Sequence, residues 1–313
     1  MTPLFWRCEY VRLFGSSSKL FGVTDQNEII EDCCEVEDMD SLKYLTMLDT
    51  SNAQVVIPGR ATFGGVWTWP INGIQPDVIS SFYDHMIDGL SSKPVEIHLP
   101  PNYFYSDIFE LQHEIITSKG GKILYVETSQ YIDVESWAPE AMSKGNRKKL
   151  RQCAESIAIT VRLPLADLDG VYELITINRL SRGVSLSISL SQLRKSFTEI
   201  PDAYRCYGTF LGSKLIAAAI TVLITDDFEY VYMWADDAQY RSLSPVVSLC
   251  ETIVNDSKSR GVRTLDLGIS SKNGILDEGL SRFKINLGAV SGNKVSYILQ
   301  RGDMDGSLEE LRV

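Results

Sequence analysis

The sequence predicts a mixed α/β (α+β) fold arranged as two domains in tandem, and three observations lead there. Strand-like and helix-like segments alternate along the chain with no solenoid period. A succession of strands, a helix and a further strand occurs twice without readable sequence repetition. A length of 313 residues with 44% hydrophobic composition suits two cored domains of about 150 residues each.

In the first half, Leu45 to Leu48 and Val55 to Ile57 read as short strands, with turns at Pro58-Gly59-Arg60 and Gly64-Gly65. Pro76 to Leu90 reads as a helix, because Val78, Ile79, Phe82, Met86 and Ile87 recur at helical spacing and share one face. A strand from Val95 to Leu99 is expected to stop at Pro100-Pro101. A helix from Ser106 to Ser118 then leads through Gly120-Gly121 into a strand from Ile123 to Val126.

The second half opens with a basic amphipathic helix, Glu140 to Ser156, and a strand, Ile157 to Leu163. Helical patterns follow at Leu168 to Leu180 and Ser189 to Phe197. Three consecutive strands, Ala203 to Leu211, Lys214 to Ile224 and Glu229 to Trp234, turn at Gly212-Ser213 and Asp226-Asp227. Helix Pro245 to Arg260, strand Thr264 to Leu267, helix Gly279 to Leu287 and strand Lys294 to Gln300 complete the chain. The boundary is placed near Tyr131 to Pro139, giving domains at 1–135 and 136–313, with the extreme C-terminus free to pack back on the first.

A net charge of −11 argues against a broad nucleic-acid surface, since phosphate binding draws its free energy from Lys and Arg releasing counterions. The charge is uneven: Asp25 to Asp40 holds eight acidic residues and no basic one, so the rest of the chain carries only −3 and has room for a local basic groove. That acidic segment reads as a solvated helix or a mobile tail. The six cysteines lack CxxC spacing, and adjacent Cys33-Cys34 fits neither a disulfide framework nor a zinc knuckle, so a reduced protein without metal is expected. The three histidines, His85, His98 and His113, show neither metal spacing nor a triad partner. Met1 to Tyr10 lacks the basic segment and apolar core of a secretory signal, and no run of about 18 apolar residues occurs, so a cytoplasmic protein with no membrane span is expected.

One ordered set of motifs stands out. Tyr240-Arg241-Ser242-Leu243-Ser244-Pro245 leads into a helix, then Ser259-Arg260-Gly261, Leu265-Asp266-Leu267-Gly268, Gly279, and Arg282-Phe283-Lys284-Ile285-Asn286-Leu287-Gly288-Ala289. In that order the block resembles the second domain of FemAB-like and related GNAT-fold proteins, which are built from two acyltransferase-fold domains, each a mixed central sheet flanked by helices. Ser143-Lys144-Gly145-Asn146-Arg147-Lys148-Lys149-Leu150-Arg151 resembles the basic helix that starts that domain, and Gly64-Gly65 carries the resemblance in the first half.

The resemblance implies transfer of an acyl group to an amine, and it directs attention to particular residues. Ser244 before Pro245 reads as a helix start whose free N–H groups suit a phosphate, or as an ordinary helix start. In the GNAT family this loop binds the coenzyme A pyrophosphate through a glycine-rich turn, which makes Arg241, Ser242 and Ser244 the donor-binding candidates; here Gln239 to Ser244 contains no glycine. Lys284 corresponds to a lysine that contributes to catalysis in FemAB-like aminoacyl transferases, where it would face a developing oxyanion or a phosphate. The alternative is a surface lysine whose stem snorkels over Phe283. Asp266, at a strand end, either orients and deprotonates the substrate amine or caps the following loop. Arg147 and Lys144 read as a phosphate clamp or as part of a solvated helix. Tyr232, with Phe63, Trp67, Trp69, Tyr230 and Trp234, either lines a groove or fills the core. Ser270 is a further candidate for a substrate hydrogen bond.

Three functions are open at this point. The first is an N-acyltransferase moving an acyl group from acyl-CoA, acetyl-CoA foremost, to a primary amine on an amino-sugar, amino acid or cell-envelope precursor, without a metal. The second takes its acyl group from an aminoacyl-tRNA, as FemAB-like builders of peptidoglycan bridges do; the acidic surface counts against tRNA. The third keeps the fold as a catalytically degenerate binding module.

Overall fold

The computed structural model describes residues 93–300 continuously and, before them, residues 4–7, 9, 10, 13, 19–24, 29–31, 42–50, 54–58, 64–68 and 74–89. Cys8, Cys33, Cys34, Phe63, Trp69, Gly59-Arg60, most of the acidic segment and the extreme C-terminus lie outside them. Two compact units divide the chain, one within Phe5–Glu127 and Asn293–Val313, the other within Met1–Leu4 and Thr128–Gly292.

In the first unit, β1 (Lys19–Thr24), β2 (Ile29–Glu31), β3 (Leu42–Leu48) and β5 (Trp67–Thr68) form an antiparallel sheet in the order β2-β1-β3-β5. A mixed arrangement joins β4 (Val55–Ile57), parallel to β6 (Val95–Pro101), which pairs antiparallel with residues 294–299 of β13 (Val290–Leu299). Helix α1 (Pro76–Gly89) buries Ile79, Phe82, Tyr83 and Met86, the stripe its spacing announced, while Val78 and Ile87 flank it half-covered. Strand β6 does not stop at Pro100-Pro101. Its parallel partner ends at Ile97, while the antiparallel pairing carries on to Pro101 opposite Lys294, so the prolines stand where the strand has become an edge on one side. Gly65 has φ +89, and a Cβ on it would stand 2.6 Å from Gln112 Oε1. That oxygen of α2 (Ser106–Ser118) accepts hydrogen bonds from Val66 N and Tyr83 Oη, so glycine permits a buried polar contact.

His98, assigned no partner above, has two: Nε2 lies 3.3 Å from Glu96 and Nδ1 2.7 Å from Ser296 Oγ. Burial pushes the imidazole down to about 4, with Lys294 adding to the effect, so the ring is neutral at pH 7.

The second unit has a six-stranded mixed sheet in the order β7-β12-β11-β10-β9-β8. Its strands are residues 128–133 of β7 (Lys122–Asp133), then β8 (Ala158–Leu163), β9 (Tyr204–Leu211), β10 (Lys214–Thr225), β11 (Phe228–Asp236) and β12 (Thr264–Ile269). Strand β10 is apolar almost without a break because both of its faces are buried, which is why it shows no alternation. Helices α3 (Lys144–Glu155), α4 (Leu168–Leu180), α5 (Leu190–Glu199), α6 (Pro245–Ser259) and α7 (Glu278–Asn286) complete the unit. The core is formed by Val247, Leu249, Cys250, Ile253 and Val254 of α6 with inward residues of β7, β10, β11 and β12. Ser189 begins α5 with a capping box to Gln192, which separates it from α4.

One feature of this sheet positions the site. Strands β11 and β12 run parallel and pair at Phe228–Thr264, Glu229–Leu265 and Tyr230–Asp266. Beyond that β11 continues to Asp236, paired only with β10. The two parallel strands therefore diverge after Tyr230, and a cleft opens between them.

Candidate active site

The cleft is a cavity of about 580 Å³ within the second unit. Tyr230, Tyr232, Trp234 and Asp236 line it from β11, and Leu267, Gly268 and Ile269 from the other strand. Ser244, Val246 and Val247 line it from the start of α6, and Leu280, Phe283 and Lys284 from α7. Trp234 and Phe283 meet edge to face, with centroids 5.9 Å apart, and make one apolar wall.

Lys284 is 2% exposed and reaches the cavity from α7. Its Nζ donates to the carbonyls of Gly268 and Ile269, both at 2.8 Å. Two of the three N–H bonds of an ammonium are thus directed at the backbone, and one remains for an occupant of the cavity. Burial pushes this amine down to about 8; Asp266 and Asp277 oppose the shift and Arg179 adds to it. The surface-lysine reading fails on these contacts.

The anchor of α7 explains the motif around it. Asp277 caps the helix by accepting from Leu280 N. At the far end, the carbonyl of Leu287 accepts from Trp137 Nε1 at 2.9 Å and that of Asn286 from Asn146 Nδ2 at 3.0 Å. Gly288 has φ +91, and a Cβ there would stand 2.9 Å from Ala141 Cβ and 3.0 Å from Trp137 Nε1. Phe-Lys-x-Asn-Leu-Gly therefore encodes one side chain delivered into the cleft and a helix end held close against the residues preceding α3.

Ser244 occupies the N-cap position of α6 with Pro245 next, but its side chain makes no cap bond to the helix. Its backbone is left-handed at φ 51, ψ 50. The loop that lacks glycine therefore takes a glycine-like turn at a serine, and the first amides of α6 lie at the cavity wall without a side-chain cap. Arg241 lines the cavity and grips Asp236 with Nε and Nη2, both at 3.0 Å, which raises its pKa. Tyr232 also lines the cavity, its phenol raised by burial and lowered by Ser187.

Five of the nine residues singled out from the sequence are not in the wall. Asp266 is buried behind it, and its Oδ1 accepts from Gly268 N at 2.7 Å, holding the loop whose carbonyl meets Lys284. Ser270 is buried and donates to Gln130 Oε1 at 2.6 Å. Ser242 is exposed away from the cavity. Lys144 is exposed at the first turn of α3, and Arg147 donates to the Glu140 carbonyl at 2.9 Å. The member of the basic run that does line the cavity is Lys149, five positions after Lys144 and two after Arg147 and therefore on another face of the helix.

Arg179, Arg182 and Asn178 of the wall went unnoticed in the sequence. A signal existed for Asn178: the buried positions of α4 are Leu168, Val171, Ile175 and Asn178, so an amide continues an apolar stripe. Its Nδ2 donates to the carbonyl and Oδ1 of Asp236, at 2.7 and 3.1 Å, which ties the end of α4 to β11. With these residues the wall carries five cations, Lys149, Arg179, Arg182, Arg241 and Lys284, against two acids, Asp236 and Asp277. In a chain of net charge −11 that concentration makes the cleft locally positive. Among the described residues no group of His, Cys, Asp and Glu could hold a metal ion, and no helix is long and apolar enough to cross a membrane.

Comparison with known proteins places this geometry. Residues 142–284 match the family described as acetyltransferase (GNAT) domain. The structure is similar to that of FemX at TM-score 0.65 and 10% identity, over 96% of this chain and 92% of that one. It is similar to L-PGS from Bacillus licheniformis at TM-score 0.59 and 12% identity, over 94% and 86%. The C-terminal domain of a putative lysylphosphatidylglycerol synthetase from Agrobacterium fabrum gives TM-score 0.58 and 9% identity, over 95% and 89%. At these identities the likeness is one of fold. No curated protein matches the sequence.

Proposed function

We propose, from the GNAT acetyltransferase domain matched over residues 142–284, that this chain transfers an acyl group from an acyl-CoA donor to a primary amine on an amino-sugar, amino acid or cell-envelope precursor. The observation that carries the reading is the Lys284 ammonium, buried at the point where β11 and β12 part and held there by two carbonyls.

The cleft supports the geometry of acyl transfer in three ways. Beyond Tyr230 the edge of β11 toward β12 has no strand partner, so its amides and carbonyls are available to an extended donor arm that itself contains amides. In the wall, the start of α6, without a side-chain cap, together with Arg241 and Lys149 suits the donor's phosphates. At the reacting end, an amine attacking the thioester carbonyl places negative charge on that oxygen, and the third N–H of Lys284 stabilises it. Asp266 acts as a positioning residue: it restrains Gly268 and favours the charged form of Lys284. The amine loses its proton to solvent or to the departing thiolate, and the remaining acceleration comes from orientation.

The test is thiol release from acyl-CoA across a panel of amino-sugars and amino acids. Lys284→Ala should cost about 10²–10³-fold in turnover on any substrate found, and full turnover by that variant would remove the assignment.

A second reading takes the acyl group from aminoacyl-tRNA. Serine rather than glycine at the left-handed turn favours it, because a side chain there limits how closely a pyrophosphate can approach the backbone. Affinity for charged tRNA that falls steeply with salt supports this donor, and no binding at low salt excludes it.

A further inference from the structure

Beyond the donor and Lys284, the cleft holds positive charge that acyl transfer from coenzyme A does not call for. Arg179 stands in the last turn of α4, half-buried, and lines the cavity. It shares that wall with Lys284 and Tyr230, and its charge bears on both. The two acids of the wall are engaged elsewhere. Asp236 accepts from Arg241 and Asn178, and Asp277 caps α7. Among the described residues no carboxylate pairs with Arg179. Asp266 and Asp277 act on Lys284 but are taken up by the amides of Gly268 and Leu280, so an occupant that brings an anion beside the half-buried guanidinium gives it the partner the wall lacks.

Pairing separates this charge from that of Arg241. Arg241 is held by Asp236, whereas Arg179, in the same wall as Lys284 and Tyr230, has no carboxylate partner among the described residues. Asn178, the neighbour of Arg179, is hydrogen-bonded to Asp236, so the helix end that presents the guanidinium is held in place. We propose that Arg179 is a specificity residue that binds an anionic group carried by the acceptor itself, so that the acceptor is an amine bearing a carboxylate or phosphate. The fork of the guanidinium suits either group bidentately. The inference rests on acyl transfer to an amine in this cleft and specifies which amines are taken.

Matched pairs that differ only in the anion test it: L-lysine against 1,5-diaminopentane, and glucosamine 6-phosphate against glucosamine. Binding is followed by quenching of Trp234, which lines the cavity, with coenzyme A present, for the wild type, Arg179→Gln and Arg179→Lys. The expected result is an advantage of tenfold or more for the anionic member of at least one pair, lost in Arg179→Gln and partly kept in Arg179→Lys. The pair that shows it tells carboxylate from phosphate. Equal binding within both pairs, or a preference that survives Arg179→Gln, overturns the proposal, as does Arg179→Gln weakening coenzyme A instead of the acceptor. Thiol release from acetyl-CoA is read in parallel. Turnover without anion preference leaves the acyl-transfer reading standing and removes Arg179's role, whereas anion-selective binding without thiol release from any acyl-CoA does the reverse.

Discussion

Replacing Lys284 with methionine keeps the length of the side chain and removes its charge, which makes stability against pH a direct readout of the burial on which the site depends. In the folded chain burial holds the amine at about 8, below its ordinary 10.5. Between those values the unfolded state binds a proton that the folded state does not. Stability of the wild type must therefore rise with pH across this window, by about 1.4 kcal/mol per unit where the difference is complete. The gain is absent below about pH 7.5, where both states are charged, and amounts to about 2 kcal/mol by pH 9.5. Lys284→Met has no such group, so the wild type should gain about 2 kcal/mol relative to the variant over that interval. At neutral pH the variant gains by no longer burying a charge but leaves the Gly268 and Ile269 carbonyls without their donor. The pH slope, not the absolute difference, is therefore the informative quantity. Urea unfolding followed by tryptophan fluorescence at pH 7.5, 8.5 and 9.5 measures it. Parallel stability curves for the two proteins would refute the argument, because a lysine in water has the same pKa folded and unfolded.

Gly288→Ala forces a left-handed residue and a close contact with Ala141 and Trp137; it should cost about 2–3 kcal/mol and lower the melting temperature by roughly 5–10 °C in calorimetry. Glu229 is fully buried and accepts from Thr221, Ser257 and Arg260, so Glu229→Ala leaves a guanidinium without that partner and should cost about 3–5 kcal/mol in urea titration. Lys149→Ala should weaken coenzyme A binding several-fold at low salt, whereas Lys144→Ala should leave it unchanged in calorimetry; the opposite ranking would return the clamp to the first turn of α3.

The sequence by itself determined the succession of elements, because it is written in local terms. Helical spacing marked Ile79, Phe82 and Met86, turn residues punctuated the strands from β9 to β11, and Pro245 marked the start of α6. The same local order brought out Lys284 and the Leu-Gly-Ala that follows it. Which side chains meet was decided only by the tertiary structure. Asp266 and Tyr230 are 36 positions apart in sequence and adjacent in register, and the divergence just beyond them comes from β11 staying with β10 when β12 leaves. No periodicity encodes where two parallel strands separate, so Arg179, Arg182 and Lys149, on helices chosen by their apolar faces, gave no sign of sharing one cleft. Asp266 and Ser270 illustrate the converse. A polar residue at a strand end looks alike whether it faces a ligand or satisfies a buried amide, and here Gly268 N and Gln130 took up their hydrogen bonds.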